Sequence, residues 1–286
     1  MICEIDELKI YYETYGDGMP VLMIHGRGVD HNIMTGCMEP IFKGRPGWKR
    51  IYLDLPGMGR TRAGDRLKNS DDMLRTIIRF CEEIIPDRNF SVAGESYGGY
   101  LARGLVHDIP EHLDGVLLIC PAIIADWVER DLPPHRVFIR DAQLLASIEP
   151  SERKMFEHFI AVQDKRRWER FQLDILPGIK TKDTVFIERL KKEGYRFSFD
   201  VDKLERPFDK PSLMLAGRQD TSVGYADLLK IIENYSRGTF AILDRAGHGL
   251  QLEQEVVFNC MVNEWLDRVM EYQKMGDHLA NPNRLL

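Results

Sequence analysis

The stretch Asn89-Phe90-Ser91-Val92-Ala93-Gly94-Glu95-Ser96-Tyr97-Gly98-Gly99 closes a short apolar run and opens a helical one, with a G-x-S-x-G pentad at the join. A serine at a tight strand-to-helix turn is held in strained backbone geometry with its hydroxyl projecting beyond the sheet. Gly94 and Gly98 allow the chain to pass close to its neighbours, and Gly99 lets the new helix pack on the strand. The N-terminus of that helix directs backbone donors toward any negative charge developing beside the serine.

Before this stretch and within it, compact apolar runs at 21–24, 50–55 and 89–93 are bounded by turn residues and lack alternation, the pattern of strands covered on both faces of a parallel sheet. Met73, Leu74, Ile77, Ile78, Cys81 and Ile84 recur at helical spacing over 71–85, with Ser70 or Asp71 as cap and Pro86 as the stop. A helix over 97–107 and a strand over 115–120 follow. From 122 to 207 the chain reads mainly as helix and loop; α/β alternation then resumes with a strand at 212–216, a helix at 225–235, a strand at 239–243 and a helix at 253–272. Segments 2–5 and 9–15 read as an antiparallel hairpin at a sheet edge, and 274–286 as a loose tail or an arm. The economical organisation is an α/β core, 1–121 and 208–286, interrupted once by a helical insertion over 122–207.

Composition narrows the functional classes. The 286 residues carry 39 Lys and Arg against 45 Asp and Glu, a formal charge of −6, which gives little reason to approach nucleic acid or an anionic membrane. An acidic start and the lack of a long apolar run point to a soluble cytoplasmic protein. The five scattered cysteines, without a CxxC pair, read as small buried hydrophobes, neither disulfides nor a metal site. No phosphate-cradling glycine loop appears, so cofactor-free chemistry on a small molecule is expected, with the insertion or the tail as possible homodimer surfaces.

A serine hydroxyl needs a base, and the base an orienting acid. Both belong on loops after later strands of the same sheet. Asp220 follows the strand ending at Ala216-Gly217, and His248 lies between glycines after the strand ending at Leu243. Asp244 is the rival acid, but it stands too near its strand end and too close in sequence to His248 to reach the ring well.

With the order Ser96, Asp220, His248, the chain resembles the cap-bearing α/β-hydrolases, a group of esterases, C–C hydrolases and proline iminopeptidase-like enzymes. The resemblance spans nearly the whole chain and includes Ile24-His25-Gly26-Arg27-Gly28 and Asp54-Leu55-Pro56-Gly57-Met58-Gly59-Arg60-Thr61. It implies a mostly parallel sheet with helices on both faces, a Ser96–His248–Asp220 triad, and oxyanion-hole N–H groups from Arg27 and Tyr97. Serine in place of the Asp nucleophile disfavours dehalogenase and epoxide chemistry. Small or medium carboxylic esters are the expected substrates, with C–C bond hydrolysis, aminopeptidase action and a ligand-receptor role as alternatives. The Arg27 side chain either enters the pocket to meet a polar substrate group or turns outward, the latter being the expectation. Glu95 is expected beneath the turn, pointing away from Ser96. Trp127, Trp168, Phe138, Phe171 and Tyr195 are candidates for the underside of the cap.

Overall fold

The computed structural model describes residues 1–64 and 66–280, the side chains of 276–280 excepted. Eight strands form one sheet in the order β1-β2-β4-β3-β5-β6-β9-β10. Strands β1 (Ile2–Ile5) and β2 (Leu8–Tyr15) make the antiparallel hairpin at one edge, and β2 pairs antiparallel with β4 (Trp48–Leu53). The remaining pairings are parallel, through β3 (Met19–Ile24), β5 (Phe90–Glu95), β6 (Leu113–Ile119), β9 (Ser212–Gly217) and β10 (Gly238–Leu243). Val21, Leu22 and Ile24 of β3, and every residue of β5, β6 and β9, are buried. That double covering explains their unbroken apolar runs.

The chain goes from β3 to β4 on one side and then returns to place β5 on the other side of β3. Such a reversal opens a crevice at the carboxyl ends of the two strands. Both the loop after β3 and the turn after β5 empty into it.

Helix α2 (Ser70–Ile84) is capped by Asn69, one residue earlier than the composition suggests, with its side chain accepting from the Asp72 N–H. Helix α3 (Tyr97–Asp108) follows β5 at once. Helix α1 (Asn32–Phe42) is not announced by the patterning, since it carries Gly36 and Pro40 in its interior. Gly36 is there for closeness: a Cβ would stand 2.4 Å from the Asp174 carboxylate.

The 120–211 stretch contributes nothing to the main sheet. It holds a two-stranded pair, β7 (Ile139–Arg140) with β8 (Val162–Gln163), and, besides a 3₁₀ turn at Trp127–Glu129 and a π-helical turn at Leu190–Gly194, five short α-helices: α4 (Ala142–Ser147), α5 (Pro150–Phe159), α6 (Lys165–Asp174), α7 (Leu176–Thr181) and α8 (Thr184–Arg189). One buried side chain grips both ends of it. Arg103 of α3 donates to the carbonyls of Ala122 (2.9 Å) and Ile123 (3.2 Å), and pairs through Nε and Nη2 with Asp202.

Three expectations are corrected. The 225–235 helix is a 3₁₀ helix, Ala226–Asn234, with buried Leu228 and Ile231 three residues apart, the repeat of that helix. The C-terminal helix breaks at Gln254 into α9 (Leu250–Glu253) and α10 (Glu255–Ala280). Much of the stretch read as a loose tail is the end of α10, which carries on through Gly276 because residues 274–280 hold no proline; residues 281–286 lie outside the described residues. No helix among the described residues is long and apolar enough to cross a membrane.

Candidate active site

Ser96 has φ 53° and ψ −113°, the strained turn that the glycine spacing allows. A Cβ on Gly94 would stand 2.3 Å from the Gly98 carbonyl oxygen, and one on Gly98 would stand 2.1 Å from that of Ile24. Only glycine at both positions lets the turn close, at a backbone strain of about 1 to 3 kcal/mol. The Ser96 Oγ consequently projects into the crevice, 3.0 Å from His248 Nε2. On the other side of the ring, Nδ1 lies 2.8 Å from Asp220 Oδ2. The second oxygen of Asp220 accepts from the N–H groups of Ser222 (2.8 Å) and Val223 (3.0 Å), so this buried carboxylate is locked in place. With Nδ1–H donating to Asp220, Nε2 is left as the acceptor for the serine hydroxyl. Asp244 faces elsewhere, accepting from Gln219 Nε2.

The loop after β3 is held by His25, whose Nε2 accepts from the Leu55 N–H at 2.9 Å and whose Nδ1 donates to the Gly26 carbonyl at 2.7 Å. Gly28 takes φ 77°, in the left-handed region, and its N–H meets Met58 Sδ. Among the described residues, the N–H groups of Arg27 and Tyr97 donate to no protein acceptor. They come from the two strand ends that frame the crevice. The Tyr97 side chain is buried away from it, hydrogen-bonded to Ser70 Oγ at 2.8 Å.

Glu95 corrects an expectation. Its carboxylate does not point away from Ser96; Oε1 lies 3.5 Å from His248 Nε2 and the residue is buried. It occupies the space that a side chain on Gly26 would need, since a Cβ there would stand 2.2 Å from Glu95 Oε2. Burial pushes the Glu95 carboxyl up to about 7, with His248 opposing. Burial alone would press the His248 imidazole down, but Asp220 first and Glu95 after it outweigh burial and raise its proton affinity.

A sequence profile for the alpha/beta hydrolase fold matches residues 19–255. The chain belongs to the α/β-hydrolase fold family. Among solved structures, an alpha/beta superfamily hydrolase from Oenococcus oeni PSU-1 matches with TM-score 0.83 and 31% identity, covering 91% of this chain and 96% of that one. A pimeloyl-[acyl-carrier protein] methyl ester esterase of Legionella pneumophila (strain Corby) is 24% identical over 267 residues, 91% of this chain and 100% of the relative. A 2-hydroxy-6-oxononadienedioate/2-hydroxy-6-oxononatrienedioate hydrolase of Burkholderia vietnamiensis (strain G4 / LMG 22486) is 21% identical, covering 92% of each chain. The relatives are thus esterases and other hydrolases, and this protein is a hydrolase of the same fold.

Around the serine, the α/β-hydrolase crevice holds a small recess of about 50 Å³, walled by Val29, Ile33, Ile175 and Phe159 with Gly26 and Gly249. Phe159 stacks on the His248 ring, centroids 5.6 Å apart. It was not among the expected contacts, and neither was Ile33, which sits on the unannounced α1. Arg27 corrects a second expectation: its side chain does not turn away from the crevice but lines both this recess and a larger outer cavity of about 490 Å³. Trp127 and Tyr195 line that outer cavity. Trp168 and Phe171 do not line either one; they pack with Phe156 in the interior of the 122–207 segment, Trp168 at 5.3 Å and Phe171 at 5.4 Å. Phe138 is exposed and lines neither cavity.

Among the described residues, one group of three possible metal-binding side chains has ligand atoms within 4.8 Å of one another: Cys120, Asp220 and His248. Burial holds the Cys120 thiol well above its usual range, hence neutral, and Asp220 and His248 are already bound to each other. That donor set suits proton handling, not metal binding.

Proposed function

We propose that this hydrolase cleaves carboxylic esters through a serine acyl-enzyme. The observation that carries the reading is the unbroken hydrogen-bond chain from Ser96 Oγ to His248 Nε2 and from His248 Nδ1 to Asp220. In the proposed mechanism, His248 takes the hydroxyl proton as Ser96 Oγ attacks the ester carbonyl. Asp220 keeps the ring in the required tautomer and stabilises the imidazolium. The N–H groups of Arg27 and Tyr97 receive the negative charge on the carbonyl oxygen, a contribution of about 10² to 10³ in rate for one donor. His248 then protonates the departing alcohol and, in the second half, activates water against the acyl-enzyme.

The narrow apolar recess beside Ser96 suits a short group on one side of the ester, and the wide polar cavity beyond Arg27 receives the rest of the molecule. Residues 122–207 serve as the cap in this reading. Phe159, Tyr195 and Lys182, all from that segment, lie at the crevice or above its oxyanion loop.

A fluorophosphonate probe tests the assignment directly. Labelling is expected at Ser96 together with p-nitrophenyl acetate hydrolysis, and Ser96→Ala should lose both. Full hydrolysis by that variant would remove the serine from the chemistry. Tight binding of a small ester without turnover would favour a receptor.

A further inference from the structure

The outer cavity has an uncompensated cation at its inner end. Arg27 is half-buried where this cavity meets the catalytic recess, and among the described residues no carboxylate lies within ion-pair distance of its guanidinium. Its companions are also positive. The Arg27 guanidinium lies over the Tyr195 ring, 5.9 Å from its centroid, and Arg130 lies 5.8 Å from the same centroid. Lys182, half-buried as well, lies along the oxyanion loop: a Cβ on Gly28 would stand 3.4 Å from its Cδ and 3.7 Å from its Nζ. Burial and the charge of Arg27 both weaken the hold of Lys182 on its proton.

Lys191, Lys192 and Arg196 line the cavity together with Asp126, Glu188 and Glu193. Asp126 caps a turn through the Val128 N–H, and Arg196 pairs with Glu129, so the outer rim is roughly balanced. Among the described residues, the cations without an ion-pair partner include Arg27, which lines the recess together with Ser96 and Glu95, and Lys182 beside Gly28. Glu188 offsets this crowding of two half-buried cations only in part, so it is unfavourable in the empty site and is relieved when an anion enters.

We infer that Arg27 and Lys182 form an anion subsite, and that the substrate is an ester carrying a carboxylate at the end remote from the scissile bond. A planar guanidinium beside an ammonium suits a carboxylate oxygen pair, and phosphate offers the same chemistry from another source. The inference rests on the serine-esterase reading for its substrate, but the subsite itself is open to a binding measurement.

The test compares monomethyl glutarate with methyl valerate, its neutral analogue of similar length, by methanol release. The native enzyme should favour the charged ester in kcat/KM by about tenfold or more, the scale of one charge-assisted contact. Arg27→Gln and Lys182→Met should each lower that ratio severalfold, whatever happens to the absolute rates. Replacing the remote carboxylate by a phosphonate decides the source, since a stronger preference for the phosphonate ester assigns the subsite to phosphate-bearing substrates. Equal use of charged and neutral esters, or a ratio untouched by both substitutions, overturns the subsite and leaves the serine assignment intact. Should no ester be hydrolysed and Ser96 remain unlabelled, calorimetry of glutarate against glutaramide on Ser96→Ala decides separately. Binding of the dianion alone, lost in Ser96→Ala/Arg27→Gln, supports the subsite, and no binding refutes it.

Discussion

Replacing Glu95 by Gln preserves size and removes charge, which isolates the effect of the second carboxylate on His248. Glu95 Oε1 and His248 Nε2 are 3.5 Å apart. At an effective dielectric constant of about 20, unit charges at that separation attract by roughly 5 kcal/mol. This is a ceiling. Burial has pushed the Glu95 carboxyl up to about 7, so near neutrality it is charged only about half the time, and the charge is spread over two oxygens. A working effect of about 1.4 kcal/mol, or about one pH unit, remains. The sign follows from what the base must be. In the proposed mechanism His248 acts when neutral, and an adjacent anion favours the imidazolium, so removing the anion keeps the ring neutral to lower pH. The acidic limb of kcat/KM for p-nitrophenyl acetate should therefore move down by about one pH unit in Glu95→Gln, measured at constant ionic strength from about pH 5 to about pH 9. Glu95→Asp, with the charge kept but withdrawn, should fall between the two. Superposed limbs in the native and Gln enzymes, or a limb displaced upward, would refute the coupling.

Two further outcomes are expected. Asp220→Asn should lower kcat by about 10⁴, because the wrong histidine tautomer then faces Ser96, whereas Asp244→Asn should stay within a few fold of the native enzyme in the same steady-state assay. Glu253 is buried, accepting from the N–H groups of Ala161 (2.7 Å) and Val162 (2.9 Å) through one oxygen and of Gly247 (2.6 Å) through the other. Glu253→Gln presents an NH₂ group to one of these sets of donors, and should cost about 1 to 3 kcal/mol of stability in urea unfolding; an unchanged midpoint would show that water takes over the orphaned N–H groups.

The strands and the order of Ser96, Asp220 and His248 are legible because they rest on local rules: apolar runs for covered strands, glycines for a forced turn, and loops at strand ends. Glu95 is not legible in the same way. Along a strand, neighbouring side chains alternate between faces, which predicts Glu95 and Ser96 on opposite sides. The positive φ of Ser96 breaks that alternation at the last step, and both side chains enter one crevice. The 122–207 aromatics fail for another reason. Short helices with few turns carry a weak facing signal, so Trp168, packed against Phe156 inside the segment, cannot be told from Phe159, stacked on His248. Helix α1 is hidden because the glycine that admits Asp174 reads as a breaker.

Arg103 makes the beginning and the end of the 122–207 segment mechanically one object. Ala122, Ile123 and Asp202 hang from a single guanidinium, and that guanidinium is rooted in the helix whose first residue supplies the Tyr97 N–H. A displacement of the segment about its two connections would turn around a pin fixed to the helix that follows Ser96. Under the proposed function, substrate admission and the aim of an oxyanion donor would share one fulcrum, so changes near residues 122 or 202 should register in turnover as well as in substrate entry.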